Sequence, residues 1–159
     1  LITAMVELSK EYDYRLQKIE KQYTNDPDDP VVLEEYCDFL KEYLSQGFME
    51  KQMEQIYRNQ YTQLLLKQLE QKVNLHTCVC LMENLMVQRD FFLAEKILKI
   101  MDQNWHRGEE YWIWKIRYLA ERKMGKELKQ SLQALKEEHI YLSSRGKEAV
   151  GFWLDGSKK

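Results

Sequence analysis

Apolar residues recur at helical spacing along nearly the whole chain, in segments separated by short polar breaks. The first segment shows the pattern, because Met5, Tyr12 and Ile19 lie seven residues apart and therefore fall on one side of an α-helix. Glycine (6 residues) and proline (2 residues) are scarce, which argues against a turn-rich β protein. We therefore predict an all-α fold.

Polar and helix-breaking residues divide the chain into eight predicted helices. The stretch "TNDPDDP" at 24–30 ends the first helix, and there Asp28 or Asp29 can cap a new helix whose first position suits Pro30. Gly125 is predicted to end a later helix. The predicted helices are 2–23, 31–44, 48–69, 74–88, 91–103, 109–124, 126–139 and 143–154.

Three successive helix pairs can be laid over one another along the sequence. Leu33, Leu75 and Tyr111 take equivalent places, at offsets of 42 and 36 residues, and such offsets are typical of helical-repeat proteins. Because the chain opens with Leu1, we expect it to be a fragment of a larger protein. We predict a single helical-repeat domain over 1–159, built from an N-terminal helix (1–23), helix pairs 28–69, 74–103 and 109–139, and a C-terminal capping helix (143–154).

The stretch "YWIWKIRYLAERKMGKE" (111–127) places two tryptophans two residues apart. On a helix, residues at this spacing point about 200° from each other, and apolar residues accompany both Trp112 and Trp114. A helix that is apolar on two sides is buried on two sides, so we predict a core role; a platform for nucleic-acid bases or a ligand is the alternative. The predicted structural core includes Leu33, Tyr36, Phe39, Ala94, Trp112 and Trp114.

Parts of the chain resemble half-a-tetratricopeptide (HAT) repeats. The stretch "DDPVVLEEYCDFLKEYLSQGFMEKQMEQIYRNQY" (28–61) is similar to a whole repeat, "DFFLAEKILKIM" (90–101) to a second helix, and "YWIWKIRYLAE" (111–121) to a first helix. The resemblance implies a right-handed α–α superhelix and a scaffold of RNA-processing complexes. A generic tetratricopeptide-like array is the alternative.

Residues that could carry chemistry do not form a recognisable site. "HTCVC" (76–80) holds three candidate metal ligands, but side chains two apart on a helix diverge and C-x2-C spacing is missing. His106 and His139 have no nucleophile or acid at triad spacing. We therefore predict a protein that is not an enzyme, with no catalytic residues, no cofactor and no metal.

Charge and composition indicate a protein that acts by contact. Net charge is −2, with −6 in residues 1–93 and +4 in residues 94–159, which is less basic than a dedicated nucleic-acid binder. No apolar run reaches the ~18 residues that span a bilayer, so no membrane partner is expected. Three cysteines form no disulfide framework, which favours an intracellular protein. The resemblance to HAT repeats implies a nuclear rather than a cytoplasmic location.

The predicted function is a non-catalytic protein–protein interaction scaffold in a larger complex. Two alternatives are an RNA-binding module and a scaffold of mitotic or cytoskeletal machinery. The last helix either shields the third pair or docks on a partner, or on a second copy in a homodimer. The candidate partner-binding residues are Arg117, Arg122, Lys123, Lys126 and Trp153.

Overall fold

The computed structural model describes the backbone of residues 1–156 and side chains as far as Leu154. Within this range the chain forms eight α-helices and no β-strand, which confirms the predicted all-α class. In the same range no helix is long and apolar enough to cross a membrane. The helices are α1 (Ile2–Asn25), α2 (Pro30–Ser45), α3 (Lys51–Gln71), α4 (Leu75–Gln88), α5 (Phe91–Trp105), α6 (Glu109–Glu121), α7 (Gly125–Glu137) and α8 (Ser144–Gly156).

The chain divides into two compact units, where the sequence suggests one domain. The first unit is Leu1–Thr77 and the second begins at Cys78, within α4. In the first unit α2 packs against both α1 and α3. Leu33 and Leu40 of α2 are fully buried, as expected for the apolar side of the central helix.

Aromatic side chains and their hydroxyl groups join α1 to α2 in the first unit. The Tyr12 hydroxyl donates to Glu42 Oε1 at 2.8 Å, and the Tyr43 hydroxyl donates to Asp13 Oδ1 at 2.6 Å. The two rings lie 5.1 Å apart between centroids. Each ring is buried while its hydroxyl reaches an acid of the other helix, so ring packing and polar contact reinforce each other.

The start of α2 confirms the cap predicted from the sequence. The Asp29 side chain accepts a hydrogen bond from the Val31 backbone N–H at 2.9 Å, and Pro30 occupies the first helical position. Proline has no N–H there to leave unsatisfied.

Helix α6 is the centre of the second unit and packs against α5, α7 and α8. Trp112, Ile113 and Ile116 are buried to 1% exposure or less, and Ala94 of α5 is fully buried. The two-sided apolar pattern of this helix therefore corresponds to packing on several neighbours.

Three helices of the second unit end in the same hydrogen-bonded turn. Arg89, Lys123 and His139 have φ values of 57°, 55° and 53°. In each turn the following residue donates its N–H to a leucine oxygen five residues back, as Met124 does to Leu119 at 3.0 Å, which is the Schellman arrangement. The prediction that Gly125 ends a helix is wrong, since α6 already ends at Glu121 and Gly125 begins α7.

Candidate interaction surface

Both tryptophans at the start of α6 lie inside the second unit. Trp112 is 1% exposed and Trp114 is 5% exposed, and the Trp112 indole N–H donates to the His106 backbone oxygen at 2.6 Å. Stacking of a base or ligand requires an accessible ring face, so these rings offer no such platform.

The predicted basic residues near the end of α6 contact aromatic rings of their own unit. The Arg117 guanidinium lies 4.5 Å from the centroid of the Trp114 ring. The Arg122 guanidinium donates to the Tyr118 hydroxyl at 3.0 Å and lies 5.7 Å from the Phe91 centroid. Such cation–π contacts hold the two arginine side chains in place through aromatic rings rather than through carboxylates.

The other two predicted cations, Lys123 and Lys126, lie in the α6–α7 turn and at the start of α7, and both are exposed. In the turn before α5, Arg89 pairs with Glu121 at 3.1 Å. This end of α6 therefore carries a mixed, mostly basic surface.

A groove of about 520 Å³ lies between the end of α7 and the side of α8. Its apolar lining comes from both helices and from the segment that connects them, namely Leu135, Ile140, Leu142 and Leu154. Pockets that hold ligands commonly have volumes of about 300–1,000 Å³ and mainly apolar walls. The groove is thus large enough for several side chains of a bound molecule.

The polar residues that line this groove are basic. Lys136 and His139 come from the end of α7, and Lys147 comes from the first turns of α8. No carboxylate side chain is among the lining residues of the described part of the chain. Nearby Glu138 instead accepts a hydrogen bond from His106 Nε2, at 2.7 Å. The groove therefore combines an apolar floor with a cationic rim.

Exposed aromatic residues are sequence neighbours of residues that line the groove. Tyr141, in the segment between α7 and α8, is 79% exposed, and Phe152 of α8 is 83% exposed. The Phe152 and Trp153 rings meet edge to face, 5.8 Å apart between centroids, and Trp153 is partly exposed. We call the groove together with Tyr141, Phe152 and Trp153 the C-terminal surface.

A carboxylate at the start of α6 holds the beginning of α8 in place. Glu109 accepts hydrogen bonds from the Ser143 N–H at 2.6 Å and the Ser143 hydroxyl at 2.8 Å, and it pairs with Arg145 at 3.2 Å. These contacts, the backbone N–H first, lower the pKa of Glu109 below its ordinary value. Arg145 also pairs with Glu110, so both acids anchor the helix that forms one wall of the groove.

An imidazole links the ends of α5 and α7, and thereby fixes the other wall. His106 Nε2 lies 2.7 Å from Glu138 Oε1, and its Nδ1 lies 2.5 Å from Asp102 Oδ1. The hydrogen bond to Glu138, and to a smaller extent that to Asp102, raises the pKa of His106, because both bonds favour the protonated ring.

The "HTCVC" stretch shows no metal-binding arrangement. His76 is exposed, whereas Cys78 and Cys80 are buried. Burial raises the pKa of Cys78 to about 11, which keeps this thiol protonated and poorly reactive. Among the described residues no group of three or more His, Cys, Asp or Glu side chains could hold a metal ion.

Of the C-terminal surface, the sequence pointed to the last helix and to Trp153 within it. The groove itself was missed because its residues come from two helices and a connection whose packing no local spacing reveals. A usable signal was the apolar stretch 140–142 between the last two predicted helices, of which Ile140 and Leu142 are buried and Tyr141 is exposed.

Comparisons with family models, with curated proteins and with solved structures gave no match to this chain.

Proposed function

We propose that this chain is a non-catalytic protein-interaction module that holds partner proteins within a larger assembly. The observation that carries the proposal is the C-terminal surface, where Tyr141 and Phe152 stand exposed beside an apolar groove. Aromatic residues are enriched at the energetic centres of protein interfaces. Exposed apolar groups next to a concave site commonly mark interaction surfaces.

The proposal extends to the arrangement of the helices and to the cellular process in which the protein works. We propose a right-handed superhelix of HAT-like or tetratricopeptide-like pairs, working as a scaffold in nuclear RNA processing. Packing of consecutive helices, α2 on α3 and α6 on α7, supports the repeat character. The resemblance at 28–61, 90–101 and 111–121 supports the setting. An experimental structure of the protein tests the first part, and the identity of its co-purified partners tests the second.

The decisive experiment compares the proteins that co-purify with two forms of this protein, identified by mass spectrometry. One form carries Tyr141→Ala together with Phe152→Ala; a matched control carries Tyr14→Ala together with Phe92→Ala, which are also exposed aromatics, at 68% and 73%. We expect specific partners to be lost or strongly depleted only with the first pair. Unchanged recovery with the first pair would contradict the proposal.

A second candidate function is RNA binding through the basic residues of α6 and α7. Arg117 and Arg122 lie against Trp114 and Tyr118, an arrangement that leaves guanidinium edges for phosphate. It predicts RNA affinity that falls steeply with salt and is lost when both arginines become glutamine. No measurable RNA binding at low salt would rule it out.

A scaffold for mitotic or cytoskeletal machinery would use the same helical array. The co-purified proteins distinguish this setting from RNA processing, because the two assemblies have different components.

A further inference from the structure

The α7–α8 groove differs from the rest of the C-terminal surface because it combines a concave apolar floor with positive charge. Leu135, Ile140 and Leu142 are buried at 3%, 9% and 8% exposure and form a fixed floor. Their burial indicates that the groove is a permanent feature of the packing between α7 and α8. A bound group therefore has little protein structure to reorganise.

Positive charge at the groove comes from one lysine on each wall, Lys136 on the α7 side and Lys147 on the α8 side. Two backbone oxygens at the end of α7 are already hydrogen-bonded within the turn and therefore repel an anionic ligand less. The Leu135 oxygen accepts from the Ile140 N–H at 3.1 Å, and the Lys136 oxygen accepts from the His139 N–H at 3.1 Å. The charged side chains that line the groove are both lysines and complement an anionic ligand.

Gly151 lines the groove on the α8 side and has no side chain to project into it. It lies inside α8, where glycine is less favourable than alanine. A Cβ built on Gly151 meets no atom within 4 Å, so packing inside the unit does not require glycine here. The missing side chain leaves room for close approach of a bound chain to the helix.

We propose that this groove binds a short acidic segment of a partner protein, with a bulky apolar side chain on the floor and flanking carboxylates at the cationic rim. This inference rests on the proposed function and specifies the chemistry of the partner. Leu135 and Leu142 contact the apolar side chain, while Lys147 attracts the carboxylates from the α8 side. The excess of +4 in residues 94–159 favours the same class of partner at longer range.

Selection from a random-peptide phage library, with the purified 159-residue chain immobilised, tests this inference. We expect enriched peptides to combine bulky apolar residues with an excess of Asp and Glu. Gly151→Phe, which fills the groove, should weaken binding of these peptides by about tenfold or more. Gly151→Ala, which adds only one methyl group in open space, should retain it.

A second variant, at a lysine that lines the groove, tests the inference even if Gly151→Phe fails to fold. Lys147→Glu should weaken the selected peptides by about tenfold, whereas Lys129→Glu, an exposed residue of α7 outside the groove lining, should leave binding unchanged. Circular dichroism of each variant checks that it is folded. In peptides that bind, replacing Asp and Glu with Asn and Gln should reduce affinity as Lys147→Glu does.

Several results would overturn the inference: no enrichment, enriched peptides without an acidic excess, or binding that neither Gly151→Phe nor Lys147→Glu affects. Occupation of the groove by RNA or by a second copy of this chain, each sensitive to Gly151→Phe, would also overturn it. If the inference fails while partner recovery still depends on Tyr141 and Phe152, the proposed function stands without it. If partner recovery is also unaffected, both fail.

Discussion

The indole N–H of Trp112 donates to the backbone oxygen of His106 at 2.6 Å, inside the second unit. Trp112 lies on α6, and His106 lies just after α5. The bond satisfies the one polar group of a side chain that is 1% exposed, so the ring can be buried without loss of a hydrogen bond. It ties the central helix of this unit to the turn that precedes it.

Replacing Trp112 with phenylalanine should destabilise the protein strongly. The change leaves a cavity and removes the donor to the His106 oxygen, and together these effects should cost about 2–4 kcal/mol of the free energy of unfolding. Urea unfolding measures the loss. Phe92→Leu changes an aromatic that is 73% exposed and should alter stability by no more than about 0.5 kcal/mol; equal effects of the two substitutions would refute the buried role of Trp112.

Stability should fall at alkaline pH through His106. Its pKa is raised in the folded protein by Glu138 and Asp102, so its contribution is full below the ordinary histidine pKa of about 6.5 and is lost as pH rises through the folded value. The His106 side chain is 41% exposed, which limits the effect to about 1 kcal/mol or less. Urea unfolding between about pH 5.5 and 9 measures the change.

His106→Gln is the control for this pH dependence. It retains the backbone oxygen that Trp112 uses, but removes the titrating ring. We expect the alkaline loss of stability to disappear in this variant. If wild type and His106→Gln lose stability in parallel over the same range, the imidazole is not the source.

Two glycines of α8 should respond oppositely to alanine. At Gly151 the added Cβ meets open space, so the better helix propensity of alanine should raise stability by about 0.5–1 kcal/mol. At Gly146 the Cβ would lie 2.9 Å from Glu109 Oε2, a group that also binds Ser143 and Arg145. Displacing that carboxylate should leave Gly146→Ala about 1–2 kcal/mol less stable than Gly151→Ala.

Thermal unfolding of the two alanine variants, combined with hydrogen exchange over 143–154, checks this difference. Faster exchange in α8 should appear only with Gly146→Ala, because Glu109 holds the start of that helix. Equal stability and equal exchange would show that Glu109 does not fix α8.

In the turn after α6, glycine should increase the stability of the protein at one of two neighbouring positions only. Lys123 has φ 55°, a left-handed conformation that costs a residue with a Cβ about 1 kcal/mol. Lys123→Gly should therefore raise stability by up to about 1 kcal/mol. Arg122, with φ −83°, gains nothing from glycine, so Arg122→Gly should be destabilising. Urea unfolding that ranks the two variants in the reverse order would contradict the turn geometry.

The sequence predicted the helices well because each is specified by local spacing and caps. Asp29 and Pro30 show this, since the cap and the first helical residue could be identified from a single stretch. Gly125 shows the limit. Its usual preference for helix ends pointed to the wrong residue, because backbone hydrogen bonds from Lys123 and Met124 closed the turn without glycine.

The polar contacts and the groove could not be predicted in the same way. His106 meets Glu138 across 32 residues, and Glu109 meets Ser143 across 34 residues. Such pairs depend on how α5, α6, α7 and α8 pack, which spacing within one helix does not determine. Trp153 was identified from the apolar side of the predicted last helix, whereas the lysines that line the groove required the tertiary structure.

The most direct test of the account is hydrogen exchange, read by mass spectrometry, on the protein alone and bound to a partner recovered with it. We predict that binding slows exchange in residues 135–142 and 147–154, the segments that form the C-terminal surface. Tyr141→Ala with Phe152→Ala should remove this protection. Protection confined to residues outside these segments, or none within them, would contradict the claim that the chain binds partner proteins through this surface.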